Sequence, residues 1–339
     1  MSDEILDFNK IKDDEYEKSL RPQNLKEFIG QNKFIENLKI YIEAAKKRKE
    51  PLDHILLSGP PGLGKTTLAS IIANEMNVNF KSTSAPILEK SGDLAAILTD
   101  IGEGDVFFID EIHRLKKNIE EILYSAMEDY SLDIIIGQGP SAKTIKINIA
   151  PFTLIGATTR SGLISSPLRA RFGINENLDF YTLHETKDII TRSSKILNTK
   201  IEDDAAELIA KCSRGTPRVA NRVLKRVRDF AQIKNNSIID YKVSEESLKR
   251  LEIDYLGLNK IDIKILKILI EHYGGGPVGA KTIAISLGEE ADTIEEVYEP
   301  FLIQLGFIKR TPRGRVATKK AYEHLGIKYT PTEDTSLFS

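Results

Sequence analysis

A glycine-rich stretch decides the fold of this chain: Gly59-Pro60-Pro61-Gly62-Leu63-Gly64-Lys65-Thr66-Thr67. It follows the apolar run Ile55-Leu56-Leu57 and precedes the apolar run Leu68 to Ala73, so the order strand, loop, helix is predicted. Glycines let a backbone wrap around phosphate oxygens, and the N-terminus of the following helix adds the positive end of its dipole. An ordinary strand–helix turn is the plainer interpretation. The complete pattern instead predicts a P-loop that binds a nucleoside triphosphate, with Lys65 on its phosphates and the Thr66 hydroxyl on Mg²⁺.

A second motif ends in acids. Asp105-Val106-Phe107-Phe108-Ile109-Asp110-Glu111 places four apolar residues before two carboxylates. A buried parallel strand delivers such residues to the carboxyl edge of the sheet, where ligands bind in α/β folds. Asp110 is expected to hold the Mg²⁺ through its waters, and Glu111 to orient and deprotonate an attacking water. The alternative is a strand followed by a helix that merely begins with Asp-Glu.

Length and composition limit the number of domains and the classes of protein that are possible. A chain of 339 residues is long enough for two or three domains. The formal net charge of −2 carries no information about nucleic acid, so local charge has to decide that question. Cys212 is the single cysteine, which excludes internal disulfides and multi-cysteine zinc sites, and no signal-peptide pattern opens the chain. We therefore expect a cytoplasmic protein.

The middle of the chain predicts a hairpin and another buried strand. Residues 132–137 and 144–149 flank a polar turn. The run Ile134-Ile135-Ile136 is apolar on both faces, so the hairpin is either core or an arm that binds a partner. The run from Phe152 to Thr159 is apolar and ends in hydroxyls. Because such strands alternate with helices, the sheet is expected to be mostly parallel, with helices on both faces.

The second half of the chain changes character. The β pattern stops near Leu183, and a small helical domain follows that ends near Glu252. Three helices and a ribbon with a turn at Pro312 to Gly314 then predict a winged helix–turn–helix. No acid lies among the cations from Lys309 to Lys320, so this wing is expected to face DNA phosphates. A solvated basic face, or a winged helix that binds protein, is the alternative.

Together these motifs resemble the AAA+ ATPases and, within them, the bacterial motors that drive branch migration of Holliday junctions. The similarity runs from about Glu17 to Tyr329. Besides the P-loop, the motifs are Leu20-Arg21-Pro22, Phe108-Ile109-Asp110-Glu111-Ile112-His113-Arg114, Gly156-Ala157-Thr158-Thr159-Arg160, Ser166-Pro167-Leu168-Arg169-Ala170-Arg171-Phe172-Gly173 and Arg214-Gly215-Thr216-Pro217-Arg218. The resemblance implies an α/β AAA+ P-loop core with a mostly parallel sheet, a small helical lid domain and a C-terminal winged-helix domain.

The resemblance also implies domain limits. The large ATPase domain would cover residues 1–181, with residues 1–18 as a loose arm. The helical lid would cover residues 182–252 and the DNA-binding winged helix residues 255–330, followed by a flexible tail over 331–339.

Roles for single residues follow from the same resemblance. The catalytic residues would be Glu111 as base, Thr158 as the sensor of the γ-phosphate, and Arg171 as the finger that reaches a neighbour's nucleotide. Residues expected to bind ATP are Leu20, Arg21, Gly62, Lys65, Thr66, Thr67, Glu128, Asp129, Tyr130, Arg171, Tyr181 and Arg218. The Mg²⁺ residues would be Thr66 and Asp110, and the DNA-binding residues Arg310 and Arg315.

The implied function is an ATP hydrolase that moves Holliday junctions during homologous recombination, DNA repair and the SOS response to DNA damage. It would act as a homo-hexameric ring on double-stranded DNA. Its implied partners are a RuvA-like junction-binding protein, held by the hairpin near residues 133–148, and a RuvC-like resolvase. No membrane is involved.

Two other classes of AAA+ protein remain open. Clamp loaders and fork-remodelling ATPases usually end in a helical collar, and many carry a Ser-Arg-Cys finger where this chain has Leu168-Arg169-Ala170-Arg171. A replication initiator pairs the same core with a winged helix but uses ATP as a switch, with little turnover. Stimulation of hydrolysis by branched DNA would separate a motor from a switch.

Overall fold

The computed structural model describes residues 19–136 and 143–329 and divides the chain into two compact units, Met1–Tyr181 and Thr182–Ser339. The acidic arm predicted at residues 1–18, the hairpin turn and the tail predicted at 331–339 lie outside the described residues. Within the described ranges, no helix is both long and apolar enough to cross a membrane.

The first unit is built on a parallel sheet. Its strands are β1 (Ile55–Ser58), β2 (Phe80–Ser84), β3 (Val106–Asp110), β4 (Ser131–Ile136), β5 (Lys143–Asn148), β6 (Thr153–Thr158) and β7 (Ile174–Asn177). Five of these strands form one sheet in the order β2-β3-β6-β1-β7, and every pair in it is parallel. The side chains of β6 are all buried, as expected for a central strand covered on both faces. The predicted parallel core is confirmed.

Helices connect these strands. They are α1 (Asn32–Arg48), α2 (Lys65–Met76), α3 (Ser91–Thr99), α4 (Lys117–Glu128) and α5 (Ser166–Ala170). Apolar residues of α1, α2, α3 and α4 are buried, and the last turn of α1 carries Lys46, Lys47 and Arg48, where cations suit the helix dipole. Short 3₁₀ turns at Ile112–Arg114 and Ser161–Leu163 follow β3 and β6. Both turns therefore lie at the carboxyl edge of the sheet.

The predicted hairpin is present as a separate antiparallel pair of strands. β4 and β5 pair from Ser131↔Asn148 to Ile136↔Lys143. At its base Leu132 is fully buried, whereas Ile145 is 46% exposed. The hairpin is thus anchored in the core at one end and carries apolar surface further along.

The second unit begins with the lid. Its elements are α6 (Leu183–Ile196), β8 (Lys200–Ile201), α7 (Asp203–Lys211), α8 (Pro217–Lys234), β9 (Ile238–Ile239) and α9 (Tyr241–Arg250). Thr182 and Glu185 form a capping box that starts α6. Cys212 is buried in the lid core, and this burial raises the pKa of its thiol to about 11. The thiol is therefore a packed residue and not a nucleophile.

A winged helix completes the second unit. Its helices are α10 (Lys260–Lys267), α11 (Ala280–Leu287), α12 (Ala291–Thr293), α13 (Glu299–Gln304) and α14 (Lys319–His324). A π-helical turn over Ile294–Tyr298 joins α12 to α13, so the two form the third helix of the domain. The wing consists of β10 (Ile308–Thr311) and β11 (Gly314–Ala317), paired antiparallel. The predicted winged helix is confirmed.

Candidate active site

The loop between β1 and α2 has the backbone of a phosphate-binding loop. Gly59, Gly62 and Gly64 have φ angles of +133°, +83° and +99°, which other residues rarely adopt. A Cβ on Gly59 would lie 2.5 Å from the carbonyl oxygen of Leu178. Glycine is therefore required where the loop begins, and the loop can present N–H groups and the N-terminus of α2 to an anion.

Lys65 lies in the first turn of α2 and is 7% exposed. Its Nζ donates hydrogen bonds to the carbonyl oxygens of Gly59 at 2.7 Å and Pro60 at 3.0 Å. A buried ammonium group needs such polar partners. Because phosphate oxygens are stronger acceptors than carbonyl oxygens, the same group can serve a triphosphate in this loop. Thr66 and Thr67 follow it on the helix and are half-buried.

The predicted adenine-side residues lie on a segment that is tied to the P-loop helix. The Leu25 backbone N–H donates to the Glu75 carboxylate on α2 at 3.0 Å. Leu20 is 3% exposed and Arg21 is half-buried. Tyr181 approaches the loop directly, since its hydroxyl donates to the carbonyl oxygen of Leu63 at 3.1 Å. The structure therefore brings Tyr181 to the nucleotide loop and ties the segment after Leu20 and Arg21 to the C-terminal end of α2.

The acids lie at the end of β3. The Asp110 carboxylate accepts the Glu111 backbone N–H at 3.0 Å, and Glu111 itself has a φ of +50°. Register places Thr158 of β6 beside Ser58 of β1, and the Gly59 N–H donates to the Thr158 carbonyl oxygen at 3.2 Å. Asp110, Glu111 and Thr158 thus share the sheet edge with the P-loop.

His113 and Thr159 connect these groups, although neither residue had a predicted role. The Thr159 hydroxyl donates to Glu111 Oε2 at 3.2 Å, and His113 Nδ1 lies 3.2 Å from the same oxygen. His113 Nδ1 is also 2.9 Å from the Thr158 hydroxyl. Their sequence signal was membership of the motifs that carry the AAA+ resemblance, in which His113 lies two residues after Glu111 and Thr159 follows Thr158. The 3₁₀ turn after β3 folds the imidazole back toward β6, which no local pattern predicts.

Arg171, the predicted finger, has its described contacts outside the P-loop. Its Nη2 donates to Glu128 Oε2 at 3.0 Å and its Nη1 to the Pro167 carbonyl oxygen at 2.8 Å. The guanidinium also lies 4.3 Å from the centre of the Tyr124 ring. Glu128, Asp129 and Tyr130 follow at the end of α4 and the turn after it. The structure brings Arg171 to Glu128 and joins neither to Lys65 or Glu111 through a described contact.

The remaining predicted residues belong to the second unit. Arg218 is exposed in the first turn of α8. Arg310 and Arg315 face each other across the wing and both bond to Glu299. The bond to Glu299 raises the pKa of Arg310, so that guanidinium is a permanent cation.

The oxygen donors at the loop suit Mg²⁺. Thr66 offers a hydroxyl and Asp110 a carboxylate, and hard cations prefer oxygen ligands of this kind. Mg²⁺ keeps several waters and shares phosphate oxygens, so it needs few protein ligands. The residues present fit a magnesium–nucleotide complex.

A parallel sheet, a P-loop after its first strand, and acids at the end of a neighbouring strand define a P-loop ATPase, and the lid and winged helix place it in the AAA+ class. Three family models match successive segments: the Holliday junction DNA helicase RuvB P-loop domain over residues 20–178, the RuvB AAA lid domain over 181–254 and the RuvB C-terminal winged helix domain over 255–326. The chain belongs to the RuvB family.

Individual relatives agree over nearly the whole length. The Holliday junction branch migration complex subunit RuvB of Kosmotoga olearia is 61% identical over 327 residues, covering 96% of each chain. The protein of the same name from Streptococcus thermophilus is 56% identical, covering 96% of this chain and 98% of its own. The solved structure of the Thermotoga maritima RuvB Holliday junction branch migration motor has a TM-score of 0.85 at 55% identity. The match covers 92% of this chain and 100% of that structure's chain.

Proposed function

We propose that this chain is the ATP-hydrolysing motor subunit that drives branch migration of Holliday junctions. The observation that carries the proposal is the meeting of Lys65, Asp110, Glu111 and Thr158 at one sheet edge, in a chain whose three domains all match RuvB. Recombination and repair, including the SOS response, follow as the setting of such a motor.

ATP is held mainly by the P-loop. Lys65 exchanges its bonds to Gly59 and Pro60 for bonds to the β- and γ-phosphates. Gly62, Thr66 and Thr67 contact the phosphates, and Leu20, Arg21 and Tyr181 border the nucleoside. Arg218 is the nucleotide-binding residue of the lid domain. Thr66 and Asp110 would hold Mg²⁺, which would supply positive charge to the phosphates.

Hydrolysis needs one base and one oriented water. The Glu111 carboxylate accepts a proton as the water oxygen bonds to the γ-phosphorus and the bond to the β-phosphate oxygen breaks. Thr159 and His113 hold one oxygen of that carboxylate, which limits the directions in which the other can point. Thr158, bonded to His113, links the γ-phosphate region to the base.

Assembly completes the site. Arg171, Glu128, Asp129 and Tyr130 form the face that meets a neighbouring subunit's nucleotide, so a closed hexameric ring places each finger in a neighbour's site. A guanidinium offers a fork of donors to developing negative charge. Support comes from the described contacts of Arg171, which are made to Glu128 and Tyr124 and not to the P-loop of its own chain.

DNA and the junction-binding partner are contacted by the wing and by the β4–β5 hairpin, outside the ATPase site. The wing that carries Arg310 and Arg315 grips the duplex backbone without reading sequence, as a travelling motor requires. The β4–β5 hairpin docks on a RuvA-like junction-binding protein, and a RuvC-like resolvase can join the complex. The exposed side chain of Ile145 on an otherwise anchored hairpin supports this docking role.

The rate of ATP hydrolysis with and without a synthetic four-way junction tests the proposal. A motor is expected to hydrolyse ATP faster with the junction than with no DNA. Little turnover in either case, together with ATP-dependent DNA binding, would favour the initiator class instead. Stimulation by primer–template junctions, with none by four-way junctions, would favour a clamp loader.

A further inference from the structure

The linker that joins the lid to the winged helix is folded into a closed turn. The Asp254 carboxylate accepts the backbone N–H groups of Leu256 at 2.9 Å and Leu258 at 2.8 Å, and the Asp254 N–H donates to the Leu258 carbonyl oxygen at 2.9 Å. Gly257 has a φ of +85°, and a Cβ there would lie 2.8 Å from the carbonyl oxygen of Cys212, at the end of the lid helix α7. The linker backbone is therefore bonded within itself and packed against the lid.

Arg214 extends this attachment from the lid to two helices of the winged helix. Its side chain is 12% exposed. Its Nε donates to the Gly257 carbonyl oxygen at 2.9 Å, and its Nη2 donates to Asp262 Oδ2 on α10 at 2.5 Å. The guanidinium also lies 5.0 Å from the centre of the Phe301 ring on α13. One planar group thus contacts the linker, the first helix and the third helix of the winged-helix domain.

The carboxylate that Arg214 meets is itself buried. Asp262 is 0% exposed, and its Oδ2 also accepts the backbone N–H of Asn259 at 2.8 Å, at the start of α10. A buried carboxylate is tolerated only with such partners, and removal of its cation leaves a charge without compensation. The ion pair between Arg214 and Asp262 therefore fixes where the lid meets the winged helix.

Other described contacts across this junction reach the linker or lie at the surface. The Cys212 thiol, a weak donor, bonds to the Asp254 carbonyl oxygen at 3.3 Å, and His324 Nε2 of α14 lies 2.7 Å from Asp254 Oδ2. Lys260 and Glu252 form an ion pair at 3.2 Å, but both side chains are 61% exposed, and exposed pairs contribute little. Arg214 differs from these residues because it joins the lid directly to the buried face of a winged-helix element.

The same short segment carries the nucleotide residue of the lid. Arg214 and Gly215 have φ angles of +59° and +58°, and the left-handed conformation is uncommon for a residue with a side chain. The Thr216 hydroxyl donates back to the Arg214 carbonyl oxygen at 3.2 Å, and α8 begins at Pro217. Arg218 is exposed in the first turn of that helix. A tight, bonded turn therefore separates Arg214 from the residue that is proposed to bind ATP.

We infer that Arg214 is a positioning residue that fastens the winged helix to the lid, so that a movement of the lid driven by nucleotide at Arg218 also moves the DNA-binding domain. Coupling between distant sites is carried by packed side chains and hydrogen bonds of this kind. The inference rests on the proposed function and names the connection through which ATP hydrolysis acts on DNA.

Arg214→Ala tests the inference in the full chain, and Arg250→Ala is its matched control. Arg250 is a lid arginine that bonds to Glu246 Oε1 at 3.1 Å and lies 6.0 Å from the Phe230 ring, but both partners belong to the lid. ATP hydrolysis and strand exchange are measured together on a four-way junction with the junction-binding partner, and duplex binding is measured separately.

We expect Arg214→Ala to bind ATP and duplex DNA like the parent and to exchange about tenfold fewer junctions for each ATP hydrolysed. Arg250→Ala is expected to keep the parent ratio. This ratio separates coupling from a purely structural role, because loss of folded protein lowers hydrolysis and exchange in proportion.

The parent ratio in Arg214→Ala would overturn the inference alone, whereas a parent protein that hydrolyses ATP without exchanging strands would overturn the proposed function as well. If Arg214→Ala does not fold, Asp262→Asn is added to it. This second change removes the buried charge and keeps an acceptor oxygen for the Asn259 N–H. The double variant is expected to show the same fall in junctions exchanged per ATP, and the parent ratio in it would overturn the inference.

Discussion

At the scale of single residues, the catalytic edge depends on backbone conformation as much as on side-chain type. Glu111 has a φ of +50°, a left-handed conformation that is uncommon for a residue with a side chain. This turn at the end of β3 directs the carboxylate toward Thr159 and His113. The strain falls on the residue that we propose as the base, which is where such strain is commonly found.

Binding and hydrolysis are expected to separate at Lys65 and Glu111. Lys65→Ala removes a cation that meets the phosphates in the ground state, so ATP affinity is expected to fall. Glu111→Gln keeps the shape of the side chain but removes its basicity. The affinity for ATP is therefore expected to stay unchanged, and the rate of ATP hydrolysis to fall by a factor of roughly 10² to 10⁴. Titration with a fluorescent ATP analogue and a steady-state hydrolysis assay measure the two effects.

The control for charge is Glu103→Gln, because Glu103 is an exposed residue in the turn before β3. It is expected to hydrolyse ATP at the parent rate. Turnover of Glu111→Gln at that same rate would remove Glu111 from the role of base.

The environment of the buried His54 leads us to expect that the stability of the fold depends on pH. It is 8% exposed; its Nδ1 accepts the Leu154 N–H at 2.8 Å, and its Nε2 lies 3.2 Å from the Met127 carbonyl oxygen. Both contacts suit the neutral ring, and burial lowers its pKa below the ordinary value of 6.5. A lowered histidine pKa means that the stabilisation is complete above the unfolded pKa and is lost as the pH falls toward the folded one.

The unfolding free energy of the parent is therefore expected to decrease between pH 7 and pH 5, by up to about 1.4 kcal/mol for each pH unit. The melting temperature is expected to decrease with it. His54→Gln should flatten this decrease. His184→Gln, which changes an exposed histidine, should keep it. Equal pH profiles for His54→Gln and the parent would contradict the account.

At the scale of elements, strongly patterned segments were predictable and weakly patterned ones were not. The P-loop, β3 and β6 are apolar runs with functional ends, and they occur where expected. β7 (Ile174–Asn177) was missed because it is short, contains one apolar residue and forms only as the edge partner of β1. The short pair β8–β9 was missed because two-residue strands leave no periodic signal.

Some contacts of the candidate functional residues could likewise be predicted from the sequence, and others could not. Asp110, Glu111 and Thr158 could be expected together because parallel strands bring their ends to one edge. The bonds from Glu299 to Arg310 and Arg315 could not, because they join a helix to a ribbon that only the tertiary fold brings together. From sequence, the acids of the third helix looked separate from the cations of the wing.

The hairpin gives a prediction at this scale. Replacing the exposed Ile145 with Ser is expected to abolish loading by a junction-binding partner and to leave basal ATP hydrolysis unchanged, because β4 and β5 stay anchored at Leu132. Partner-dependent binding to a four-way junction measures the loss. Ile233→Ser, on the lid and 86% exposed, is the matched control. Normal loading by Ile145→Ser would remove this residue from the docking surface.

At the scale of the whole molecule, the proposed active site exists only between subunits. Arg171→Ala is expected to bind ATP nearly normally and to hydrolyse it roughly 10³ to 10⁵ times more slowly. Mixing it with Lys65→Ala subunits is expected to restore part of the activity, since each variant keeps the half-site that the other lacks. Mixed rings that assemble but stay inactive would place Arg171 outside the neighbour's site.

The central claim is that ATP hydrolysis moves a junction, and strand exchange on a synthetic four-way junction measures it most directly. With ATP and a RuvA-like junction-binding partner, the parent is expected to convert the junction into its two duplex products, and Glu111→Gln is expected to bind the junction and leave it in place. If the parent hydrolyses ATP on the partner-bound junction and the strands are not exchanged, the result contradicts the account.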